Sequence, residues 1–269
     1  MAEGLWGRMR RCGQDRALAL AFGGALAAGR FQVWYQPKFD LDTGGLRGAE
    51  ALVRWQRAEG LVPPDRFIPV LERTGQIAAL DAEVLRQVCR DIGEIRRRQL
   101  APGCISVNLS RRHLARPDAA KRIGALAAGA GVGGGELAFE ITESAAESDA
   151  DRLAEQACRL RAMGFGVEMD DFGAGSSTLG SLARIPFDAL KLDRSLVGRA
   201  GQPRMDEILA CTVEMARRLG MEVVAEGVET AAHAQALRRA GCRLAQGYYF
   251  SRPLPREEFF ALVQREATR

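Results

Sequence analysis

LAFEITESAAESDADRLAEQACRLRAMGFGVEMDD, residues 137–171, is the stretch that decides the fold class. A short apolar run at 137–141 carries Glu140 near its end. A helix-period segment at 149–163 follows and stops at Gly164, and a second apolar run at 166–170 then delivers Asp170 and Asp171. Strand, crossover helix and strand in that order make the repeating unit of a parallel sheet.

The same phrase recurs along the chain. Strands are expected at 32–36, 46–53, 104–108, 137–141, 166–170, 189–192, 222–225 and 243–246, and helices at 81–98, 118–127, 149–163, 205–219 and 231–240, several closed by Gly164, Gly220 or Gly241. Eight strands fit an α/β fold of the TIM-like (β/α)8 barrel type. The link between the first two is too short for a crossover helix, so they should pair as an antiparallel hairpin and leave the barrel imperfect. An open doubly wound sheet is the alternative, but no G-x-G-x-x-G or G-x-x-x-x-G-K turn follows a strand to support it.

The bulk properties are compatible with one large domain. Of 269 residues, 47% are hydrophobic and 27% charged, which excludes a disordered chain, and 30 glycines suit many tight turns. With 38 basic and 34 acidic residues the surface is mixed, which argues against bulk nucleic-acid binding. Lys38, Lys121 and Lys191 are the only lysines among those 38 basic residues, so a lysine at a strand end goes against the chain's habit. Six cysteines without a C-x-x-C pair point to a reducing, cytoplasmic setting rather than a disulfide framework. Ala17 to Ala28, behind Arg8, Arg10 and Arg11, has the outline of a signal-peptide core but is short and broken by glycine. The simpler reading is a helix ending at Gly29, with no membrane span in the chain.

The chemistry lies at the strand ends. They carry Glu50, Asn108, Glu140, the pair Asp170 and Asp171, Lys191 with Asp193, Glu226 and Gln246. In a barrel these ends converge on one mouth. A single polar strand end is ordinarily an N-cap or a solvent contact. Agreement across seven ends is a different observation. Five carboxylates brought together resist ionisation unless cations neutralise them, and an all-oxygen set without histidine suits Mg²⁺ or Mn²⁺. His113 and His233 read as packing or surface residues. Two ions roughly 3.5–4 Å apart would form the clamp used for in-line phosphoryl hydrolysis. Lys191 would hold the attacking water or a phosphate oxygen, or else form a structural salt bridge.

These residues sit in motifs that resemble the EAL family. Glu50-Ala51-Leu52 is that signature, within YQP at 35–37 and EALVRW at 50–55. The likeness continues through FIP at 67–69, NLS at 108–110, FEITES at 139–144, DDFG at 170–173, LKLDR at 190–194, AEGVE at 225–229 and QGYYFS at 246–251. It covers about residues 16–265, which sets residues 16–269 as an EAL phosphodiesterase domain and 1–15 as an N-terminal tail or linker.

What the resemblance implies is a barrel that cuts cyclic di-GMP to linear pGpG with two Mg²⁺ or Mn²⁺ ions. It also implies a homodimer and a sensor or GGDEF-type domain upstream. Glu50, Asn108, Glu140 and Asp170 would hold one ion, and Asp170 and Asp171 the second, with Glu226 facing them. Lys191 and Glu226 would orient and deprotonate the water, with Glu50 counted beside them. Gln36, Leu52, Arg54, Asp193 and Gln246 would meet substrate, Glu229 would lie in an outer shell, and Glu143 would anchor the loop after the fifth strand.

That loop departs from the family pattern at Ala174, Ser176 and Thr178, and Glu168 stands where a small or apolar residue is usual. Glu168 lies on the same strand face as Asp170, so it needs a buried partner, for which an arginine is expected. The altered loop leaves open a silent cyclic di-GMP receptor. A scaffold protein acting through Arg96, Arg97 and Arg98 is a third reading, although cations at a helix end suit its dipole and need no partner.

Overall fold

The computed structural model describes residues 2–142, 150–174 and 179–268, with side chains from residue 15 onward. Alternation organises the barrel wall. In β1 (Phe31–Asp40) and β2 (Leu46–Arg57), Val33, Tyr35, Ala51, Val53 and Trp55 are buried toward the outer layer. The residues between them, Gln36, Lys38, Glu50, Leu52 and Arg54, share the opposite face. The two strands form the expected antiparallel hairpin, with Gln36 opposite Glu50.

After the short β3 (Gly60–Val62) the chain builds α2 (Pro64–Thr74), α3 (Ile77–Arg97), β4 (Cys104–Asn108), α4 (Arg111–Leu114), α5 (Ala119–Gly129) and β5 (Leu137–Thr142). It continues through α6 (Ala150–Ala162), β6 (Gly166–Phe172), α7 (Leu179–Arg184), β7 (Ala189–Leu192), α8 (Arg194–Val197), α9 (Pro203–Arg218) and β8 (Glu222–Ala225). The last elements are α10 (Ala231–Arg239), β9 (Leu244–Ala245), β10 (Leu254–Pro255) and α11 (Arg256–Ala267).

Strands β2, β4, β5, β6, β7, β8 and β9 pair in that order, all parallel. Strand β1 then pairs antiparallel with both β2 and β9, which closes the sheet on itself. All eight expected wall strands are present. The barrel, and not the open sheet, is the fold.

The outer helices bury the other face of the wall. Trp55 meets the edge of Phe67 on α2 at 5.6 Å between centroids, and Tyr35 stacks on Phe259 of α11 at 4.7 Å while donating to Asp91 of α3 at 2.6 Å. At the N-terminus, α1 (Ala2–Ala27) lays Leu18 and Phe22 into this core and ends with Gly29 at φ 63°, as a glycine stop requires. No helix among the described residues is long and apolar enough to cross a membrane.

Helices α2 and α11 escape the sequence pattern because each opens beside a proline, Pro64 being the first residue of α2 and Pro255 the cap before α11, and α2 contains Pro69 as well. Proline is a breaker inside a helix, yet it is well tolerated in the first turn, where the missing N–H has no helical partner.

Gly48 fixes how close β2 comes to β4. A Cβ there would stand 2.1 Å from the Cys104 carbonyl oxygen, its nearest neighbours all being Cys104 backbone, with no flexible side chain to yield. Gly48→Ala is therefore expected to cost about 2 kcal/mol through forced strand separation, seen as a fall of about 4–8 °C in Tm. An unchanged Tm would contradict this β2–β4 register.

Candidate metal centre

Seven strand-end side chains meet at the mouth of the barrel. At the centre is Lys191 on β7, a fully buried ammonium. Its Nζ lies 3.2 Å from Glu50 Oε2, 2.8 Å from Glu140 Oε2, 3.0 Å from Asp170 Oδ1 and 2.7 Å from Glu226 Oε1. Asn108 Nδ2 bridges Glu50 and Glu140 at 3.1 Å each. Gln246 Nε2 donates to Glu50 at 2.6 Å and to Glu226 at 3.0 Å. Residues far apart in sequence are one cluster here because each projects inward near the mouth, Glu50 from within the long β2 and the others from near or just past their strand ends.

Asp170 and Asp171 solve a geometric problem. Adjacent residues of a regular strand point to opposite faces. Asp171 adopts φ 59°, and the β6–β7 register shifts between Met169 and Phe172. This left-handed turn brings carboxylate oxygens of Asp170, Asp171 and Glu226 within 4.8 Å of one another.

The electrostatics report a shortage of positive charge. Burial opposes the ionisation of Glu50, but the ammonium groups of Lys191 and Lys38 outweigh it and hold its carboxyl at about 2. Glu140 moves the other way, pushed above the usual carboxylate range by burial and then by Glu50. Burial raises Glu226 to about 8, with Asp170 and Glu50 reinforcing it against the pull of Lys191. Asp171 rises to about 6 through burial and the neighbouring Asp170 and Asp193. Burial also works against the charge on Lys191, but Glu140, Glu226, Glu50 and Asp170 keep it firmly protonated.

One ammonium cannot neutralise Glu50, Glu140, Asp170, Asp171 and Glu226 together. The set therefore fits divalent cations with hard-oxygen preference. Gln246 Oε1 agrees with this, being buried without a hydrogen-bond partner, as is the ease with which the Asn108 amide could present its oxygen after a half-turn.

Beneath this tier lies a second one that sequence reasoning did not connect. Lys38 Nζ, on β1, lies 2.9 Å from Glu168 Oε2, 2.6 Å from Ser106 Oγ and 3.4 Å from Glu140 Oε1. Ser106 Oγ also donates to Glu168 Oε2 at 2.9 Å. Glu168 is thus paired with a lysine and not with the expected arginine. The signal was available: Lys38 is one of three lysines and lies two positions from Gln36 on the inward face.

The remaining expected positions vary. Arg54 is half-buried on the rim, its guanidinium 5.7 Å from the Trp34 ring centroid and one nitrogen donating to the Val53 carbonyl at 2.9 Å. Leu52 lines a cavity of about 620 Å³ that reaches Asn108, and Gln36 donates weakly to the Ser251 carbonyl at 3.5 Å. Asp193 caps α8 by accepting from Ser195 N at 2.8 Å. Glu229 is exposed, and no hydrogen bond or ion pair joins it to the cluster among the described residues. Glu143, Ser176 and Thr178 lie outside the described residues.

His113 is buried 3.4 Å from Asp81, consistent with packing, and His233 starts α10 behind its Thr230 cap. Arg96, Arg97 and Arg98 pair with Glu136 and Glu94 of the same chain, which accounts for that run without a partner.

The raised carboxyls carry a signed consequence. Stability contributed by a group whose folded pKa is raised is present below its unfolded pKa and is lost as pH climbs through the folded one. For Asp171 and Glu226, with ordinary values of 3.8 and 4.5, that loss runs through about 6 and about 8. The metal-free chain should therefore melt at lower temperature at pH 8 than at pH 5, and added Mn²⁺ should raise Tm more at pH 8, because ligands must be deprotonated. Thermal unfolding at both pH values checks this; a Tm that climbs steadily from pH 5 to pH 8 without metal would contradict it.

Comparison with known proteins places this cluster in a family. Residues 19–253 match the EAL domain. The chain is 39% identical over 253 residues to the cyclic di-GMP phosphodiesterase NbdA and 38% identical over 237 residues to the cyclic di-GMP phosphodiesterase RocR, both of Pseudomonas aeruginosa. It is 37% identical over 243 residues to the oxygen sensor protein DosP of Escherichia coli. These matches cover 90%, 86% and 90% of this chain but only 32%, 59% and 30% of the respective relatives. Among solved structures, that of the PaMucR phosphodiesterase in complex with c-di-GMP superposes with TM-score 0.84 at 35% identity, covering 90% of this chain and 99% of that one. The chain belongs to the EAL domain family.

Proposed function

We propose that this chain hydrolyses cyclic di-GMP to linear pGpG with two bound divalent cations, Mg²⁺ or Mn²⁺. The observation that carries the proposal is the intact inward set: Glu50, Asn108, Glu140, Asp170, Asp171 and Glu226 around Lys191. The names of NbdA and RocR, and the ligand in the PaMucR structure, supply the substrate class.

Bound cations would supply Lewis acidity to the scissile phosphodiester and make a water acidic enough to attack near neutral pH. The chain's own residues do the rest. Glu50, Asn108, Glu140, Asp170 and Asp171 would hold the cations, with Glu226 alongside. Glu226, fixed by Lys191 at 2.7 Å and Gln246 at 3.0 Å, is placed to accept a proton from the attacking water. Lys191 donates hydrogen bonds to Glu226 and its neighbours, so it fixes the base and balances charge on the phosphate side. Arg54 contributes a positive edge for a substrate phosphate, and Gln36, Leu52, Asp193 and Gln246 bound the space beside it.

The same reading extends to context. A homodimer acting in the cytoplasm, under a sensor or GGDEF-type domain, fits the multidomain length of the relatives, of which MucR is named a bifunctional diguanylate cyclase and cyclic di-GMP phosphodiesterase.

Incubation with cyclic di-GMP and Mn²⁺, followed by chromatography, should yield pGpG and stop on chelation. Glu50→Ala and Asp171→Asn should each lower turnover by about a hundredfold or more with unchanged circular dichroism. Arg54→Ala should mainly raise KM. Tight binding of cyclic di-GMP with no pGpG over hours would overturn the proposal in favour of a receptor module.

A further inference from the structure

The buried pair Lys38 and Glu168 does something the active cluster alone does not explain. Glu140 is wholly buried between two ammonium groups, Lys191 at 2.8 Å on Oε2 and Lys38 at 3.4 Å on Oε1. Those two contacts are unequal. Lys38 sits closer to Glu168, at 2.9 Å, and to Ser106, at 2.6 Å, than to Glu140. Ser106 ties the arrangement together by bonding both partners.

An unpaired ammonium this deep would close on the nearest carboxylate, and that carboxylate is Glu140. It would then compete with any cation for the Glu140 oxygens and repel that cation directly. Glu168 prevents this. Its charge holds Lys38 at 2.9 Å, while a longer contact of 3.4 Å still steadies Glu140 Oε1.

We infer that Glu168, with Ser106, is a positioning residue for the metal centre, one that tethers Lys38 away from Glu140 so that the Glu140 oxygens stay open to a divalent cation. The inference rests on the reading of Glu140 as a cation ligand.

The test is a charge cycle read by calorimetric titration with Mn²⁺ in the absence of substrate, alongside thermal unfolding of the metal-free proteins. Glu168→Gln leaves Lys38 uncompensated and is expected to weaken Mn²⁺ binding about ten- to a hundredfold. The double variant Lys38→Met with Glu168→Gln removes both charges and should restore the Mn²⁺ Kd to within about threefold of the parent, because a paired charge can be replaced as a unit with little loss of stability. A merely structural pair would shift Tm in the single variant and leave its Mn²⁺ Kd unchanged, which would overturn the inference. A double variant that binds as weakly as the single one would overturn it too. Should Glu168→Gln fail to fold, Glu168→Asp carries the comparison: the shortened tether is expected to weaken binding several-fold, and an unchanged Kd would count against the tether. If the parent protein itself took up no Mn²⁺, the metal reading would fail, a different result from a parent that binds and variants that match it.

Discussion

The architecture depends on the ammonium of Lys191 being buried among four carboxylates. At an effective dielectric near 20, each ion pair at about 4 Å is worth roughly 4 kcal/mol, so one cation touching Glu50, Glu140, Asp170 and Glu226 offsets much of their mutual repulsion. These four come from β2, β5, β6 and β8, so a single side chain on β7 links most of the circumference of the barrel. The compensation is incomplete, since Glu140, Glu226 and Asp171 are all pushed toward their neutral forms. A site built for stability alone would remove a carboxylate, or leave the second ammonium, Lys38, to the cluster instead of sharing it with Glu168. The charge deficit is a cost to the fold kept open at the place where cations are useful.

Much of this was legible in sequence because the signals are local. Period-two apolar runs, each with a polar residue at the end, give the eight wall strands, and glycines mark where the helices stop. The hairpin follows from the length of one connection, since no crossover helix fits between β1 and β2. Convergence of Glu50, Asn108, Glu140 and Glu226 then comes from barrel geometry rather than from any property of the residues themselves.

What stayed hidden depends on register or on context. Alternation places Glu168 inside the barrel, but its partner is decided by how β1, β4, β5 and β6 align, and no local pattern names Lys38. Glu140 stands opposite both Asn108 and Glu168 in neighbouring strands, which is why one carboxylate belongs to two tiers at once. Asp193 shows the reverse case. It looks like a site residue at a strand end, yet its carboxylate caps α8, and it touches the cluster through its field on Asp171. Helices α2 and α11 were masked by proline, which reads as a breaker until its place at the cap or in the first turn is known.

The turn at Asp171 ties these strands of argument together. An aspartate tolerates the left-handed region better than most residues, and no β-branched or bulky residue would adopt φ 59° there without greater strain. The position therefore needs aspartate twice, once for its backbone and once for its carboxylate. Gly173 follows at φ 90°, where a Cβ would come within 2.4 Å of Leu196 on α8. The helix pressed against that glycine is the one capped by Asp193, whose charge in turn raises Asp171. The end of β6 and the start of α8 are thus one unit, in which a strained turn, a missing side chain and a helix cap together set where the second of two adjacent carboxylates points. Ala174 stands immediately after this unit, so within the loop after β6 departure from the family pattern begins only where the geometry of the paired aspartates has already been fixed.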